Sequence, residues 1–175
     1  NSLIDQLFVV GPKASFKPWE EEFEECFKAS WKKNVIRYNG NKRKKLLSKL
    51  TEYEVVLTNL ETANNDENLL INSLFSGKKI LMIIDESHHI KSFDENARYA
   101  NSMIRMARHA AKRIILTGTP MPHGWRDLWS QFTFLYPDER LLGTRYNFDN
   151  MITESNINST INDLIYPYWT RVSRE

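Results

Sequence analysis

Cysteine is nearly absent from this sequence of 175 residues, in which Cys26 stands alone. A disulfide within the chain needs two cysteines, and a zinc site built from cysteine thiolates needs more than one, so both are excluded. The chain therefore does not have the cysteine pattern of a small secreted domain stapled by disulfides. A reducing, intracellular setting fits it better.

Long apolar runs and a strong charge imbalance are missing too. No stretch approaches the roughly 20 apolar residues that cross a membrane, and no secretory signal pattern is visible at the start. The net charge is only +2, which neither indicates nor excludes a nucleic-acid partner. With 41% hydrophobic and 26% charged residues, the composition is that of one ordinary globular domain over residues 1–175, neither disordered nor fibrous.

Short apolar runs alternate with amphipathic stretches along the chain. One amphipathic stretch carries Leu70, Leu74 and Phe75 after a cap expected at residues 64–66, and another is expected to form a helix over about 94–111. Alternation of this kind predicts an α/β fold with a parallel sheet and helices on both faces. The runs interpreted as strands are 7–10, 35–38, 53–58, 80–84 and 113–117.

Less regular stretches occur in two places. After the fifth strand we predict helices around 125–135 and 157–165, with Pro167 ending the second, and irregular structure over 137–154 between them. The basic run at residues 42–45 is interpreted as the solvated start of a helix. A phosphate contact there is the weaker alternative.

Polar turns follow two of the buried strands. Strand 80–84 leads into Asp85-Glu86-Ser87-His88, and strand 113–117 leads into Gly118-Thr119-Pro120. Ligands of parallel sheets bind beyond the carboxyl ends of the strands, so both turns are expected to open on one site. In phosphoryl-transfer sites an Asp at a strand end holds Mg²⁺, and a nearby Glu can deprotonate the attacking water. The alternative is a strand that simply ends in solvated acids.

Other kinds of site are weaker interpretations. His88 and His89 beside Asp85 resemble a metal cluster, but we expect adjacent histidines on a turn to point apart, and no third ligand is suitably spaced. His109 and His123 are expected at the surface or in turns. No Gly-x-Ser-x-Gly sequence occurs, so a serine hydrolase is not supported. The Trp and Tyr residues fall mostly on predicted core stripes, which leaves no evident base-stacking platform.

The motifs, taken in order, resemble those of the Swi/Snf-type ATPases of helicase superfamily 2. Residues 85–88 look like motif II (Walker B), and 116–120 look like motif III. Upstream, 9–13 resembles motif Ia and 55–59 resembles motif Ib. The segment 166–171 is similar to the one that closes the first motor lobe. Any one match is weak, whereas the ordered set covers nearly the whole chain.

This resemblance implies a RecA-like three-layer sandwich and a nucleic-acid-dependent ATPase that moves along double-stranded DNA. It implies that Asp85 binds the Mg²⁺ of ATP–Mg and that Glu86 polarises the hydrolytic water. Coupling of the nucleotide to nucleic acid is implied for His88 and Ser87. A link between hydrolysis and movement of the lobes is implied for Thr117 and Thr119, with Gly118 in the same coupling group. Contacts with backbone phosphates are implied for Pro12, Lys13, Thr58 and Asn59. Two alternatives stay open: a non-enzymatic nucleic-acid-binding module with a degenerate motor fold, and a strand-separating DNA or RNA helicase.

One part of the family pattern is missing. The phosphate-binding sequence Gly-x-x-x-x-Gly-Lys-[Ser/Thr] does not occur, and in the family it precedes motif Ia. We expect it before residue 1, so that the chain is a first lobe truncated at its N-terminal strand. The second RecA-like lobe, with its arginines for the same ATP, is expected elsewhere in the parent protein. The fragment alone is then predicted to bind ATP poorly and to hydrolyse essentially none.

The resemblance also predicts the arrangement of the sheet. By analogy with the family, the strands lie in the order fifth, fourth, first, third, second, with an open edge beside 113–117. An open edge invites pairing with another chain, so an edge-strand dimer is expected. Richness in Asn, Lys and Ile favours an AT-rich bacterial or phage genome and hence a cytoplasmic protein. A eukaryotic protein of this type would be nuclear.

Overall fold

The computed structural model describes residues 3–27, 34–92, 97–138, 141–153, 157–168 and 170. Within them, five strands form one parallel sheet in the order β2-β3-β1-β4-β5. The predicted α/β class and the predicted strand order are both confirmed. The strands are β1 (Gln6–Val10), β2 (Val35–Arg37), β3 (Val55–Thr58), β4 (Ile80–Asp85) and β5 (Lys112–Leu116).

Helices connect the strands and continue after the last one. They are α1 (Phe16–Phe27), α2 (Leu60–Asn65), α3 (Glu67–Leu70), α4 (Arg98–Ala107), α5 (Arg126–Leu135), α6 (Arg145–Thr153) and α7 (Ile157–Ile165). The stretch Arg43–Glu52 is a 3₁₀ helix, and so is the short turn Ser87–Ile90 after β4. In the described part of the chain no helix has both the length and the apolar composition needed to cross a membrane.

The sheet buries both of its faces, because side chains alternate along each strand. Phe8 of β1 and Met82 of β4 pack against α4 in the larger core cluster. Val9 and Ile83, their neighbours in sequence, point to the opposite face and pack against α1. The result is a helix–sheet–helix arrangement in three layers, as predicted.

β5 occupies one edge of the described sheet. Its partner on one side is β4, and Ile83 lies beside Ile114 in the register. Ile114 and Leu116 remain 41% and 40% exposed, whereas β4 is mostly buried. The described residues therefore leave this edge open, as the strand order predicted.

The helices α5, α6 and α7 form a second, smaller core. The prediction of irregular structure over 137–154 is wrong, because α6 occupies Arg145–Thr153. Phe148 is fully buried in this core, and Met151 and Ile152 pack against the same cluster. The i, i+3, i+4 spacing of these three residues was the missed helical signal.

The helix predicted to follow a cap at 64–66 is present as α3, with Asp66 in its N-cap position, but the short helix α2 before it was not predicted. Asn59, directly after the strand, caps α2 by accepting a hydrogen bond from the backbone N–H of Thr62 at 2.9 Å. Asp66, one of the predicted caps, forms no capping bond. Its buried carboxylate accepts bonds from Tyr38 Oη at 2.9 Å and from Arg43 Nε at 2.5 Å. Arg43 is thus paired within the fold, which corrects the interpretation of 42–45 as a purely solvated run.

The helix predicted over 94–111 is shorter in the structure. α4 spans Arg98–Ala107, and the N–H of Ala111 donates to the carbonyl of Ile80 instead of extending the helix. Residues 93–96 lie outside the described residues, and so do 169 and 171–175 of the C-terminal segment.

Candidate active site

Three turns meet at the carboxyl ends of β1, β4 and β5. Because β4 lies between β1 and β5, the turn at 11–15 flanks residues 85–90 on one side and 117–120 flanks them on the other. The register places Val10 beside Ile84 and Asp85 beside Leu116. The sheet therefore brings the two predicted polar turns to one place and adds a third.

Asp85 is the last residue of β4, and both of its carboxylate oxygens accept hydrogen bonds. The backbone N–H of Glu86 donates to Oδ1 at 3.0 Å, and the indole N–H of Trp19 in α1 donates to Oδ2 at 3.0 Å. A Cβ placed on Gly11 would lie 3.0 Å from the Cβ of Asp85. Only a glycine lets the turn after β1 come this close to the carboxylate.

Glu86 is the only described non-glycine residue with a positive φ, 54°. A left-handed conformation costs an ordinary side chain about 1–2 kcal/mol, and such strain clusters at functional sites. The Glu86 side chain is 45% exposed, and its Oε2 lies 3.1 Å from His88 Nδ1. The carboxylate thus stays accessible at the mouth of the site while one of its oxygens contacts a histidine.

His88 joins the turn after β4 to the turn after β5. Its Nδ1 lies 3.2 Å from Thr117 Oγ1, and the same hydroxyl oxygen accepts the N–H of Thr119 at 3.1 Å. With a proton on Nδ1 the ring can donate to Glu86, and without it the ring can accept from the Thr117 hydroxyl. His88, Thr117 and Thr119 were all predicted site residues, and the structure brings them together.

Ser87 points away from the mouth of the site into the protein. It is fully buried, and its hydroxyl donates to Gln131 Oε1 of α5 at 2.6 Å. The amide of Gln131 in turn donates to the carbonyls of Pro120 and Asp127, each at 2.8 Å. Gln131 therefore connects both turns through one buried side chain.

Sequence reasoning missed Gln131 and its neighbour Ser130. Ser130 donates to the carbonyl of Ile90 at 2.6 Å and accepts from the N–H of Ser92 at 2.9 Å, so it fixes the segment that follows the turn after β4. The signal that could have revealed them was a pair of polar residues inside the apolar stripe of α5. Polar side chains that are buried need hydrogen-bond partners. Gly118 makes no such contact: it is exposed, and nothing lies within 4 Å of a Cβ placed on it.

The predicted phosphate-contacting residues lie at the ends of β1 and β3. Lys13 is exposed and Pro12 is half-buried. The Thr58 hydroxyl is fully buried and donates to the carbonyl of Tyr38 at 2.8 Å, so it holds β2 and does not face outward as a phosphate contact requires. Asn59 is only 8% exposed, and its Nδ2 has no hydrogen-bond partner among the described residues.

The histidine pair differs from the expectation. The rings of His88 and His89 do not point apart: their centroids lie 4.3 Å from each other, with 40° between the ring planes. No group of three or more His, Cys, Asp or Glu residues that could hold a metal occurs among the described residues. The pair is therefore a ring contact without the further ligands of a metal centre.

Asp85 suits Mg²⁺ bound together with a nucleotide. Mg²⁺ keeps several waters and is usually held by one or two carboxylates plus the phosphates of the substrate. One hydrogen-bonded carboxylate at a strand end meets this need. The phosphate-binding sequence, in contrast, is not within these 175 residues.

Beyond the site, a buried ionic network ties β2 to the helices after β3. Burial opposes ionisation of Asp66, but hydrogen bonds from Arg43 and Tyr38 outweigh it and lower the pKa of that carboxyl below its usual value of 3.8. Burial, helped by the bond to Asp66, raises the pKa of Tyr38. The network keeps Asp66 charged and fixes the neighbourhood of Thr58 and Asn59.

Comparison with known proteins gives a consistent result. A family model described as "SNF2-related domain" matches residues 3–173. "Transcription regulatory protein SNF2" of Saccharomyces cerevisiae is 33% identical over 136 residues, which is 74% of this chain and 7% of that protein. "ISWI chromatin-remodeling complex ATPase ISW2" of the same yeast is 27% identical over 155 residues, 86% of this chain and 13% of that protein. The human "Lymphoid-specific helicase" is 26% identical over 166 residues, 91% of this chain and 18% of that protein.

Proposed function

Since the chain belongs to the SNF2-related domain family, as its ordered motifs predicted, we propose that residues 1–175 form most of the first RecA-like lobe of a motor. This motor hydrolyses ATP, with Mg²⁺, to move along double-stranded DNA. The chain spans less than a fifth of the length of the relatives described above. The activity is therefore proposed for the full-length protein that contains it.

The contacts of His88 with Glu86 in its own turn and with Thr117 in the turn after β5 carry this proposal. Its Nδ1 lies 3.1 Å from the Glu86 carboxylate and 3.2 Å from the Thr117 hydroxyl. Asp85 would hold the Mg²⁺ of ATP–Mg, which when bound offsets the negative charge of the phosphates. Glu86 orients the attacking water and accepts its proton. Because His88 contacts both Glu86 and Thr117, a shift of the turn at 117–120 would change the position of the base.

Coupling to the rest of the motor runs through the same two turns. Ser87 belongs to the turn that carries His88, and Gly118 belongs to the turn that carries Thr119. The buried side chain of Gln131 connects the two turns. The proposed partner of this surface is the second RecA-like lobe of the parent protein. Without that lobe and without a phosphate-binding loop, the 175 residues alone are expected to hydrolyse essentially no ATP.

Nucleic acid is proposed to lie across the ends of β1 and β3. The exposed Lys13 supplies a cation for a backbone phosphate, whereas Asn59 caps α2 with its side-chain oxygen and keeps its Nδ2 buried. Pro12 precedes the turn that presents Lys13, and the buried Thr58 hydroxyl holds the end of β2 through the carbonyl of Tyr38. Phosphate contacts make affinity salt-dependent and largely independent of sequence. A protein with this role acts where DNA is: in the cytoplasm of a bacterium or phage-infected cell, or in a nucleus.

The open edge at β5 is a second proposed contact surface. In the full-length protein a further strand is expected to cover it. In the isolated 175 residues the exposed Ile114 and Leu116 are expected to lead to pairing between copies. Light scattering at high concentration tests this, and a monomer would count against the dimer.

The function is tested by measuring ATP hydrolysis by the full-length protein with duplex DNA, single-stranded RNA or no nucleic acid. We expect stimulation by duplex DNA. Stimulation by RNA alone would favour the RNA-helicase alternative, and stimulation accompanied by strand release from a labelled duplex would favour strand separation. Turnover absent under every condition, with an intact fold, would favour the non-enzymatic binding module.

The proposed DNA surface has a matched pair of lysines for its own test. Lys13→Gln is expected to weaken duplex binding equally across sequences and to reduce the salt slope by about 1. Lys17→Gln is the control, because Lys17 is also exposed but pairs with Glu21 on α1. Equal effects of the two substitutions would contradict a specific contact at Lys13.

A further inference from the structure

The indole of Trp19 crosses from α1 to the end of β4. Its N–H donates to Asp85 Oδ2 at 3.0 Å, between residues 66 positions apart in the chain. The ring packs against the core cluster that includes Val9, Ile83 and Phe23, and its centroid lies 5.6 Å from that of Phe23. The hydrogen-bond donor is therefore fixed in direction by packing.

The Asp85 carboxylate has little freedom to turn. Rotation of the carboxylate would break the bond from Trp19 to Oδ2 and the bond from Glu86 N–H to Oδ1. The approach of Gly11 to the Asp85 Cβ limits movement of the side chain as a whole. A carboxylate constrained in this way presents its remaining lone pairs in one direction.

We infer that Trp19 is a positioning residue that orients the Asp85 carboxylate for a divalent cation. This inference rests on the proposed function, in which Asp85 holds the cation. Carboxylates that bind metals are usually hydrogen-bonded by an outer shell of groups, and loss of such a partner typically lowers metal affinity or activity by about 10–100-fold. Trp19 is the side chain that supplies this bond here.

The inference also links two proposed surfaces. Trp19 lies in the first turns of α1, directly after the segment that carries Lys13. The same short stretch of chain thus holds the carboxylate through its indole and presents a cation to nucleic acid. Movement of this stretch on binding DNA would be transmitted to the orientation of Asp85.

Trp19→Phe tests the inference, because phenylalanine keeps an aromatic ring for packing but cannot donate a hydrogen bond. Trp129→Phe is the matched control: its indole N–H donates to the carbonyl of Gly143 at 3.2 Å, in the smaller core. Affinity for Mn²⁺ in the presence of ADP is measured on the full-length protein from the electron paramagnetic resonance signal of free Mn²⁺. We expect Trp19→Phe to weaken Mn²⁺ binding about 10–100-fold and Trp129→Phe to leave it unchanged.

Asp85→Asn separates failure of this inference from failure of the proposed function. If Asp85→Asn leaves Mn²⁺ binding intact, Asp85 is not a cation ligand and the proposed site is wrong. If Asp85→Asn weakens binding but Trp19→Phe matches the wild type, the site stands and the role of Trp19 is overturned. Equal weakening by both tryptophan variants would also overturn it, since the effect would then come from lost stability.

A spectroscopic readout independent of activity completes the test. With 5-fluorotryptophan incorporated, the ¹⁹F resonance of Trp19 is assigned by its absence from Trp19→Phe. We expect this resonance to shift in Asp85→Ala and on addition of Mg²⁺ with ADP, while that of Trp129 stays in place. A Trp19 resonance unmoved by both changes would show that the indole does not sense the carboxylate, and would contradict the inference.

Discussion

Two polar clusters lie at carboxyl ends of strands in this sheet, and they differ in almost every physical respect. In the cluster Tyr38–Arg43–Asp66 the acid is buried, fully paired and held ionised by its partners. In the cluster Glu86–His88–Thr117 the acid is 45% exposed, its backbone is strained and its histidine has two competing partners. The first arrangement pairs every polar group that it buries, whereas the second leaves its acid accessible from outside.

The largest expected effect comes from breaking the buried cluster. Asp66→Asn leaves Arg43 without its counter-charge, and we expect the free energy of unfolding to fall by about 3 kcal/mol, at the lower end for a broken buried pair because Arg43 keeps some exposure. Urea unfolding at neutral pH measures this change. Glu20→Gln is the matched control, because it breaks the more exposed pair with Arg37 and should cost below about 1 kcal/mol. Similar losses in the two variants would refute the comparison.

The next largest effect is expected from Gln131, whose buried side chain connects the turns after β4 and β5. Gln131→Leu removes the acceptor of the buried Ser87 hydroxyl and the donor to Pro120, so we expect a loss of about 2 kcal/mol in unfolding free energy. DNA-stimulated ATP hydrolysis should fall as well, since both turns lose a common support. Gln131→Glu keeps an acceptor for the Ser87 hydroxyl but removes the amide donor to Pro120, so it distinguishes the effects of the two contacts. Full activity in Gln131→Leu would show that the turns do not depend on this side chain.

Acid should remove the contribution of Asp66 to stability only at low pH, because its pKa is lowered in the fold. The lowered pKa of Asp66 means that its contribution to stability is fully present above about pH 4 and is lost as the pH falls through the pKa of the folded state. The stability gap between wild type and Asp66→Asn should therefore narrow below about pH 4. Urea midpoints measured from pH 7 down to pH 3 check this, and a constant gap would contradict the assignment.

The smallest expected effect has the opposite sign. Glu86→Gly removes the strain of a left-handed glutamate, so the unfolding free energy should rise, by at most about 1 kcal/mol because glycine also gains freedom in the unfolded chain. Catalysis should be lost in the same variant. A gain in stability together with a loss of activity would indicate that the backbone strain at Glu86 serves the function. A clear loss of stability would show that the Glu86 side chain contributes to the fold.

The sequence predicted the features that depend on pattern and order. Buried runs that end in polar turns gave the parallel sheet, and the ordered motifs gave the strand order and the meeting of Glu86, His88 and Thr117. The parallel sheet follows from periodicity, and the meeting of the turns follows from the rule that ligands bind beyond the carboxyl ends of parallel strands. The strand order was implied by the resemblance to the family. The helix α6 was missed although Phe148, Met151 and Ile152 have a helical spacing. That error therefore lay in the interpretation of the pattern.

Side-chain direction and long-range pairing could not be predicted. Whether the Thr58 hydroxyl faces phosphate or Tyr38 depends on where β2 lies. The bond from Trp19 to Asp85 joins residues far apart in sequence, and it depends on how α1 packs across the sheet. Arg43 and Asp66 likewise look like surface residues in the sequence, but their pairing places them in one buried network. Each case is set by tertiary packing, which a local pattern does not encode.

The most direct test of the central claim is steady-state ATP hydrolysis by the full-length protein at saturating duplex DNA, compared between wild type and Glu86→Gln. Glu21→Gln, on the exposed face of α1, is the control for loss of a surface carboxylate. The account predicts a fall of about 10²–10⁴-fold in kcat for Glu86→Gln, the range for removal of a general base, and wild-type turnover for Glu21→Gln. Wild-type turnover by Glu86→Gln would contradict the account, because the strained acid at the end of β4 would then take no part in the reaction.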